Sequence, residues 1–431
     1  MQPPHSLELI EPLESRCLLA VGNATVQLAG PAEFYALGHD AYFAGSSDST
    51  GTELWKTDGT PEGTSLVKDI WPGRQSGDPY WFGSTKDYLF FKAEDRQGEG
   101  LWSTRGTPDT TVKVYAGPAA WYGTPLMGDR VFFLSAANQR ELWTTDGTVR
   151  GTRRVSARLP LGLDKFVLGE RLAFFEFVDG DQHWVWMSDG TGKGTRQIAS
   201  FRSDRLTNEA VAVGDTLFLQ VRGGKQPGLW RFDAKGAARI GRGGFGLTSL
   251  NGRLYYFVDG AHGTDLWASN GRRTALIAPL HSGRVPSFLF NEDQTGVVVG
   301  HGKLYAFVSR GPRIQLWSSD GTSRGTAKIA TFSLPRGSAK ADRLAPAARE
   351  VINSGIVFNI AVFDSSPDPV KHDFAYSSDG TSAGTRRIVD GDLDMSQPVN
   401  ADGRLFFANA ATGDQLWIWE YSAQTPPQRV L

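Results

Sequence analysis

The stretch Glu53-Leu54-Trp55-Lys56-Thr57-Asp58-Gly59-Thr60-Pro61-Glu62-Gly63-Thr64 decides the fold, because variants of it return along the whole chain. Most copies join an apolar-aromatic pair to a glycine turn a few residues later. An interval of about 40 to 50 residues between copies is typical of a repeat array, in which each repeat is one supersecondary unit. The aromatic positions of the nine copies are Trp55, Trp102, Trp143, Trp186, Trp230, Trp267, Trp317, Tyr376 and Trp417.

Each repeat unit has the residue pattern of a small antiparallel sheet. An aromatic-rich run such as Leu89-Phe90-Phe91 precedes the Leu-Trp pair, and a short apolar segment and a tight turn come before that run. Aromatic and β-branched runs bounded by Gly and Asp are typical of strands. A further alternating segment, such as residues 64–68, follows the glycine turn. The sequence therefore predicts four strands per unit and, since no segment shows a sustained 3.6-residue apolar period, no helices.

Nine such units predict an all-β chain, a β-propeller of four-stranded antiparallel blades with about nine repeat units. Closure into a ring protects the sheet edges that an open array would expose. The repeat aromatics would then fill the space between neighbouring blades. Because propellers typically carry about four to eight blades, a β-solenoid or a split pair of small propellers is the alternative. Two units are irregular, the seventh at residues 335–350 and the eighth at residues 364–371.

The composition limits the classes of partner. The chain of 431 residues is nearly neutral, with 45 basic and 46 acidic side chains. Nucleic-acid binding needs a concentrated positive face, so we expect no nucleic acid as a main partner. The single cysteine, Cys17, excludes an intramolecular disulfide. No run of about 18 apolar residues occurs, so we expect no transmembrane segment. A monomer is expected.

The repeat resembles a known family. The segments at residues 53–64 and 141–152 closely resemble the bacterial ELWxxDGT repeats, which are sometimes grouped with hyalin-like repeats. Three more units keep the DGTxxGT half, beginning at Asp189, Asp320 and Asp379. Other units depart from the pattern: Arg105 replaces the aspartate, Asn270-Gly271 keeps only the turn, and the units of Trp230 and Trp417 have lost it. The resemblance implies a surface or extracellular role and names no reaction.

The N-terminus carries a second resemblance. Residues 13–19, Leu-Glu-Ser-Arg-Cys-Leu-Leu, look like the LEPRxLL motif of large exported bacterial proteins, with Ser15 where that motif has proline. This implies export or surface display, so the expected localisation is extracellular or at the cell surface. Residues 1–20 lack the basic start and long apolar stretch of an ordinary secretory signal. We predict an export-type leader at residues 1–24 and a propeller repeat domain at residues 25–431.

The aspartate of the DGT turn has two interpretations. Oxygen-rich loops bind hard cations, so calcium is a possible cofactor, with Asp58, Asp146, Asp189, Asp320 and Asp379 as candidate ligands. Each loop, however, offers one carboxylate, whereas calcium takes about six to eight oxygens. The favoured interpretation is structural: Asp accepts N–H groups of its own turn, Gly takes a positive φ, and Thr begins the next strand.

The loops between the aromatic run and the Leu-Trp pair are polar and often acidic. In an antiparallel meander these loops emerge on one rim of the ring, opposite the DGT turns. Converging carboxylates there could hold a cation or a sugar, although polar side chains are also ordinary in surface loops. The predicted ligand-binding residues are Asp48, Glu94, Asp95, Asp179, Asp181, Asp259 and Asp265.

Signatures of catalysis are sparse. Residues 241–246 satisfy GxGxxG, but residues 247–257 are predicted strands, so the helix N-terminus that would hold a phosphate is missing. The histidines show no HExxH pattern. The sequence favours a non-enzymatic, exported or cell-surface scaffold for binding or adhesion, whose partner is a surface protein or a glycan. The alternatives are a propeller hydrolase or lyase acting on polysaccharide, and a calcium-stabilised structural protein.

Overall fold

The computed structural model describes residues 18–21, 24–28, 34–120, 126–127, 129–136, 140–156, 159–203, 206–260, 263–280, 297–310, 313–333, 343–353, 355–363, 371–388, 395–409, 415–421 and 427–429. Residues 1–17, with most of the predicted leader, lie outside the described residues. So do residues 335–342 and 364–370, within the two irregular units. In the described ranges, no helix is long and apolar enough to cross a membrane.

Nine antiparallel sheets follow one another in chain order, and we number these blades 1 to 9. Blade 1 contains β1 (Leu18–Val21), β2 (Ala24–Leu28), β3 (Tyr35–Leu37), β4 (Asp40–Ser47), β5 (Gly51–Thr57) and β6 (Ser65–Lys68). Blade 2 contains β7 (Tyr80–Ser84), β8 (Leu89–Asp95), β9 (Gly98–Thr104) and β10 (Val112–Ala116). Blade 3 contains β11 (Ala119–Ala120), β12 (Leu126–Met127), β13 (Arg130–Ser135), β14 (Leu142–Thr145) and β15 (Arg153–Ser156).

Blades 4 to 6 have four strands each. Blade 4 contains β16 (Leu163–Leu168), β17 (Ala173–Asp179), β18 (Gln182–Ser188) and β19 (Arg196–Arg202). Blade 5 contains β20 (Leu206–Val213), β21 (Thr216–Val221), β22 (Gly228–Asp233) and β23 (Gly236–Gly241). Blade 6 contains β24 (Phe245–Leu250), β25 (Arg253–Gly260), β26 (Gly263–Ser269) and β27 (Thr274–Pro279).

Blades 7 to 9 also have four strands each. Blade 7 contains β28 (Val297–Gly300), β29 (Lys303–Arg310), β30 (Arg313–Ser319) and β31 (Ala327–Ser333). Blade 8 contains β32 (Arg343–Ile352), β33 (Gly355–Phe363), β34 (Lys371–Ser378) and β35 (Arg386–Arg387). Blade 9 contains β36 (Met395–Ala401), β37 (Arg404–Asn409), β38 (Gln415–Glu420) and β39 (Gln428–Arg429).

The architecture is an all-β, nine-bladed propeller, which confirms the predicted fold class. The alternatives, a solenoid and a split pair of small propellers, are wrong. Most blades are four-stranded; blades 1 and 3 have more strands because two short segments share the position of the first strand. In blade 1 the extra strand β1 pairs with β2, which in turn pairs with β4.

The aromatic run of each unit forms the second strand of its blade, and both faces of that strand are covered. In blade 2, Leu89, Phe90 and Phe91 are fully buried, because neighbouring blades pack on both sides of the sheet. Phe91 lies opposite Trp102 on the adjacent strand, and their rings stack with centroids 6.4 Å apart. Equivalent stacked pairs recur in blades 3, 8 and 9. Such a pair stabilises both the sheet and the packing against the next blade.

The repeat aromatics lie in apolar clusters that span two neighbouring blades. Trp102 of blade 2, for example, packs with Tyr42 and Leu54 of blade 1. In seven blades the ladder between the third and fourth strands shifts register at the step into the repeat aromatic, as between Leu54 and Trp55. A bulge of this kind bends and twists the paired strands, which suits blades packed around an axis.

The five DGT turns each join their blade to the preceding one. The turn glycine has a positive φ, and in blades 1, 3, 7 and 8 it lies so close to the preceding blade that a Cβ would not fit. On Gly147 a Cβ would lie 2.6 Å from the Tyr88 ring, and on Gly321 it would lie 2.2 Å from the Tyr255 hydroxyl. The preceding blade also donates hydrogen bonds to the turn, as Ser103 Oγ does to the Gly147 carbonyl at 2.7 Å.

The ring closes through the same type of contact. A Cβ on Gly59 of blade 1 would lie 2.4 Å from Ile418 Cδ1 of blade 9, and Arg404 of blade 9 donates to the Asp58 carbonyl. Phe43 of blade 1 and Phe406 of blade 9 belong to one buried cluster. The two N-terminal strands extend blade 1 and not blade 9. Among the described strands, side-chain packing and turn docking therefore close the ring without exchange of a strand between blades.

Candidate functional site

The DGT aspartates accept hydrogen bonds within their own turns. In blade 4, Asp189 Oδ1 accepts from the Thr191 backbone N–H at 2.9 Å and from the Thr191 hydroxyl at 2.7 Å. The Gly194 N–H donates to the same hydroxyl at 3.0 Å. The identical arrangement surrounds the other four candidate metal ligands, Asp58, Asp146, Asp320 and Asp379. Each carboxylate therefore orders its own loop.

A Ser or Thr directly before each of these aspartates is a further part of the turn that the sequence analysis missed. Ser188 Oγ accepts from the Gly190 N–H at 3.1 Å and shares a 2.8 Å hydrogen bond with Thr195 Oγ1. A hydroxyl recurs at this position in every DGT unit, so the complete signature is [Ser/Thr]-Asp-Gly-Thr-x-x-Gly-Thr. That regularity was visible in the sequence.

The aspartate side chain is the reason that the signature requires its second glycine. A Cβ on Gly194 would lie 1.9 Å from Asp189 Oδ1, although the backbone of Gly194 has no positive φ. In blade 2, where Arg105 replaces the aspartate, Thr110 replaces this glycine. The Thr110 hydroxyl takes over the aspartate's role by accepting from the Thr107 backbone N–H at 3.2 Å and pairing with the Thr107 hydroxyl at 2.8 Å. The two substitutions compensate each other.

Acid is expected to destabilise the propeller through these turns. Hydrogen bonds from threonine lower the pKa of Asp189, Asp320 and Asp379. In Asp58 and Asp146 partial burial acts to raise the pKa, but the threonine hydrogen bonds, together with the charge of Arg404 near Asp58 and of Arg130 near Asp146, leave the pKa lowered. A carboxylate whose pKa is lowered in the folded state stabilises the fold at pH values above its ordinary pKa of 3.8. This stability is lost as the pH falls through the lowered pKa.

The measurement is thermal unfolding over a series of pH values below neutrality. We expect the melting temperature to fall more steeply below pH 3.8 in the native chain than in a variant carrying Asp189→Asn and Asp320→Asn. An asparagine still accepts the threonine hydrogen bonds but does not titrate. Parallel acid profiles for the two proteins would contradict a contribution from these turns.

The predicted rim residues are spread around the ring. Asp48, Glu94 and Asp179 are exposed, and Asp265 is half-buried. Three others have partners: Asp95 Oδ1 lies 2.6 Å from Lys113 Nζ, Asp181 lies 3.3 Å from Arg202 Nη1, and Asp259 Oδ1 accepts from Thr264 Oγ1 at 2.6 Å. Within the described ranges, no three His, Cys, Asp or Glu side chains are placed together to hold a metal ion. Of the seven residues, Asp181 and Asp259 line cavities.

The first cavity lies between blades 4 and 5 on this rim and has a volume of about 570 Å³. We call it the aromatic groove. Its apolar wall includes Phe201 of β19 and Trp230 and Phe232 of β22. Its polar lining includes Asp181, Arg202, Lys225 and Gln226. An apolar wall with a few polar groups is the usual composition of a small-ligand site.

The second cavity lies between blades 5 and 6 on the same rim and has a volume of about 430 Å³. We call it the arginine groove, since Arg222, Arg239 and Arg242 line it together with Asp259. The GxGxxG segment forms part of its wall. A Cβ on Gly243 would lie 1.9 Å from Gln220 Nε2, and one on Gly244 would lie 2.2 Å from the Phe257 carbonyl. Close packing of the chain therefore accounts for these glycines.

Residues 222–227 separate the two grooves. This loop joins β21 to β22 and is longer than the tight turns at the same place in blades 2 and 4. Gly224, with φ +74, lies against β19, because a Cβ there would be 2.3 Å from the Arg202 carbonyl. The Gln226 carbonyl accepts from Trp230 Nε1 at 3.1 Å, and the Pro227 carbonyl accepts from Arg239 Nε at 2.9 Å. The loop is thereby attached to the walls of both grooves.

Blade 5 is also one of the two units, with blade 9, that have lost the DGT turn. A short turn at residues 234–235 replaces it, and the next blade keeps only Asn270-Gly271. On the opposite face, a third cavity of about 220 Å³ opens beside this shortened turn, between Phe218 and Asn270. The loss of the DGT turn and the long loop with Gly223-Gly224-Lys225 were the sequence signals that could have located the grooves.

A buried ionic network supports the wall of the aromatic groove. His183 and Glu176 are almost fully buried, with His183 Nδ1 3.0 Å from Glu176 Oε1 and His183 Nε2 3.1 Å from the Ser203 carbonyl. Lys165 Nζ lies 3.3 Å from the other oxygen of Glu176. The His183 ring stacks on Phe201 with centroids 5.0 Å apart. The network therefore holds the Phe201 ring in place through the stacked His183 ring.

No protein-family model and no curated protein sequence matches the chain, so the resemblance to ELWxxDGT repeats stays a prediction. Several solved structures are similar in fold. The β-propeller domain of the Trilobed protease from Pyrococcus furiosus is 12% identical, with a TM-score of 0.36, over 84% of this chain and 99% of that chain. TolB from Acinetobacter baumannii is 12% identical, with a TM-score of 0.29, over 68% of this chain and 77% of that chain.

Puromycin hydrolase is 13% identical, with a TM-score of 0.36 over 79% of this chain, and the match spans 60% of the hydrolase. At such identities these likenesses concern the fold alone. The chain is a nine-bladed β-propeller scaffold whose distant structural neighbours include propeller domains of peptidases and of TolB.

Proposed function

We propose that the chain is a non-enzymatic scaffold, exported or displayed at the cell surface, that binds a glycan in the aromatic groove. The observation that carries this proposal is the exposed part of Trp230 in a cavity that also presents Asp181, Arg202 and Gln226. The electron-rich face of an indole ring attracts the weakly positive C–H groups on the face of a sugar ring. Planar polar side chains beside the ring can pair with the sugar hydroxyls, as small-ligand sites require.

The position of the groove supports binding by a fixed surface. Phe201 is held by the His183–Glu176 network, and Trp230 is held by the Gln226 carbonyl. A wall that is already ordered loses little side-chain entropy when a ligand binds. The backbone of the loop at residues 222–227 is likewise attached on both sides, so the groove is pre-formed.

A hydrolase or lyase needs two converging carboxyl groups, and each groove has a single lining carboxylate, Asp181 or Asp259. Binding is therefore better supported than hydrolysis. A calcium-stabilised structural role has less support than glycan binding, because the DGT carboxylates already accept hydrogen bonds from their own turns.

Binding by purified chain to a glycan array, followed by calorimetry on the bound glycans, tests the proposal. We expect Asp181→Ala and Gln226→Ala together to weaken binding by about thirtyfold, since each removes a hydrogen-bonding group worth roughly 1 kcal/mol. Asp48→Ala is the matched control, because Asp48 is an exposed aspartate in the same type of loop in blade 1. Equal effects of the control and the double variant, or binding to no glycan, would refute the proposal.

A further inference from the structure

We infer that the arginine groove is a second subsite of the same surface and binds the anionic group of an acidic saccharide that crosses residues 222–227 from the aromatic groove. The inference rests on the proposed function and specifies its ligand. It concerns the side of blade 5 that faces blade 6. Of the predicted rim residues, Asp259 is the one that lines the arginine groove.

The first support is a local concentration of positive charge in a nearly neutral protein. The whole chain has 45 basic and 46 acidic side chains. Along the arginine groove, however, Arg222, Arg239 and Arg242 face a single lining carboxylate, Asp259. Lys225 and Arg202 line the adjoining aromatic groove, again with one carboxylate. Charge of one sign lining a cleft raises the local concentration of ligands with the opposite charge.

The second support is that these guanidinium groups are available. Arg222, Arg239 and Arg242 are exposed, and within the described part of the chain Arg242 makes no hydrogen bond or ion pair. Arg239 is oriented by its Nε, which donates to the Pro227 carbonyl. This hydrogen bond does not use the two terminal nitrogens of the guanidinium group. Arg222 also lies near the half-buried Glu209. Even with Glu209 counted, the arginines outnumber the carboxylates at the groove.

The third support is chemical fit. A guanidinium group presents parallel N–H donors that match the oxygens of a carboxylate or a sulfate. The two grooves share Val221 and are separated only by residues 222–227. An oligosaccharide can therefore place one sugar ring against Trp230 and the acidic group of a neighbouring unit against the arginines. A neutral glycan would use the first groove alone.

Nucleic acid is the competing polyanion. Its binding energy comes mainly from neutralising many phosphates along an extended basic face. The basic residues here are confined to two inter-blade grooves beside blade 5, and the net charge of the chain is −1. The geometry therefore points to an acidic saccharide and not to nucleic acid.

The experiment compares matched acidic and neutral probes by calorimetry on the full chain. One pair is a galacturonate tetramer and its methyl ester, and the other is a sulfated galactan oligomer and its desulfated form. We expect at least one acidic probe to bind about tenfold more tightly than its neutral partner, with the difference reduced by added salt, since hydrogen bonds between charged groups are stronger than those between neutral groups and are screened by ions. The acidic probe that binds shows whether carboxylate or sulfate is the recognised group.

Arg222→Gln with Arg242→Gln should remove this preference and leave the affinity for the neutral partner unchanged. Arg96→Gln, an exposed arginine in the corresponding loop of blade 2, is the matched control and should change neither affinity. Equal binding of acidic and neutral probes, or a preference that survives the double variant, would overturn the inference and leave the proposed function standing. Binding of no member of either pair would also overturn the inference, and the glycan array then decides whether the proposed function stands. Equally tight binding of a short single-stranded DNA would favour nucleic acid instead.

Discussion

Gly194→Thr is expected to lower the free energy of unfolding by about 1–3 kcal/mol, the usual range for overpacking. The cause is local, because a Cβ at this position would lie 1.9 Å from Asp189 Oδ1, whereas the backbone itself accepts any L-residue. The Asp189 side chain has to leave its hydrogen bonds with Thr191 to make room. Urea unfolding followed by tryptophan fluorescence measures the loss.

Removing the aspartate from the same chain should restore most of that stability. In the double variant Asp189→Ala and Gly194→Thr, the new hydroxyl can accept from the Thr191 N–H, as Thr110 accepts from the Thr107 N–H in blade 2. Asp189→Ala alone is the control and should cost about 1 kcal/mol, because the Thr191 N–H loses its acceptor. A double variant no more stable than Gly194→Thr alone would contradict the proposed compensation.

Glu53→Ala is expected to destabilise the fold by about 3 kcal/mol, since unsatisfied buried donors cost roughly 1–3 kcal/mol each. Glu53 is fully buried, and its carboxylate accepts from the backbone N–H groups of Ile70 at 2.9 Å, Trp71 at 3.1 Å and Gly77 at 2.9 Å. It thus holds the segment that leads from blade 1 to blade 2. Removal leaves three N–H groups without this acceptor.

The effect of this substitution should depend on pH. Burial raises the pKa of Glu53 to about 7, although its three backbone hydrogen bonds act in the opposite direction. A carboxyl group whose pKa is raised in the folded state contributes most to stability at pH values below its ordinary pKa of 4.5. This contribution is lost as the pH rises through about 7. The destabilisation should therefore be larger below pH 4.5 than above pH 7.

Glu141→Ala is the matched control, because Glu141 has the same place in the repeat of blade 3. Its carboxylate is partly exposed and pairs with Arg154 at 3.1 Å, and surface pairs of this kind contribute at most about 1 kcal/mol. Urea unfolding at several pH values compares the two variants. Similar losses for both, or a loss for Glu53→Ala that does not vary with pH, would contradict the role assigned to Glu53.

The fold could be predicted because its determinants repeat. A repeat aromatic such as Trp102 and an apolar run such as the one containing Phe91 mark adjacent strands in every unit, so nine local patterns agree on one architecture. The structural role favoured for the DGT aspartates rested on turn chemistry, and the hydrogen bonds of Asp189 are of that kind. The role of the first glutamate of the motif was not predictable, since Glu53 and Glu141 share a sequence pattern, yet Glu53 is fully buried and Glu141 is partly exposed.

The grooves were harder to predict because they arise where the repeat fails. The predicted rim residues, such as Asp48 and Asp181, are acidic side chains at similar places in four of the blades. The cavities instead depend on how one long loop, at residues 222–227, packs against its neighbours. Arg202 and Arg242 lie 40 residues apart in different blades, and only the ring brings the edges of those blades to either side of this loop.

The manner of ring closure has a consequence for how such a chain changes in evolution. Every blade is built from a contiguous segment, and blades 1 and 9 meet through the kind of turn docking used between other neighbours. A duplicated or deleted gene segment that encodes one whole unit would therefore leave no strand without its partner. The new junction would reuse contacts already present in the chain. Blade number in this architecture is thus open to change by recombination of whole units.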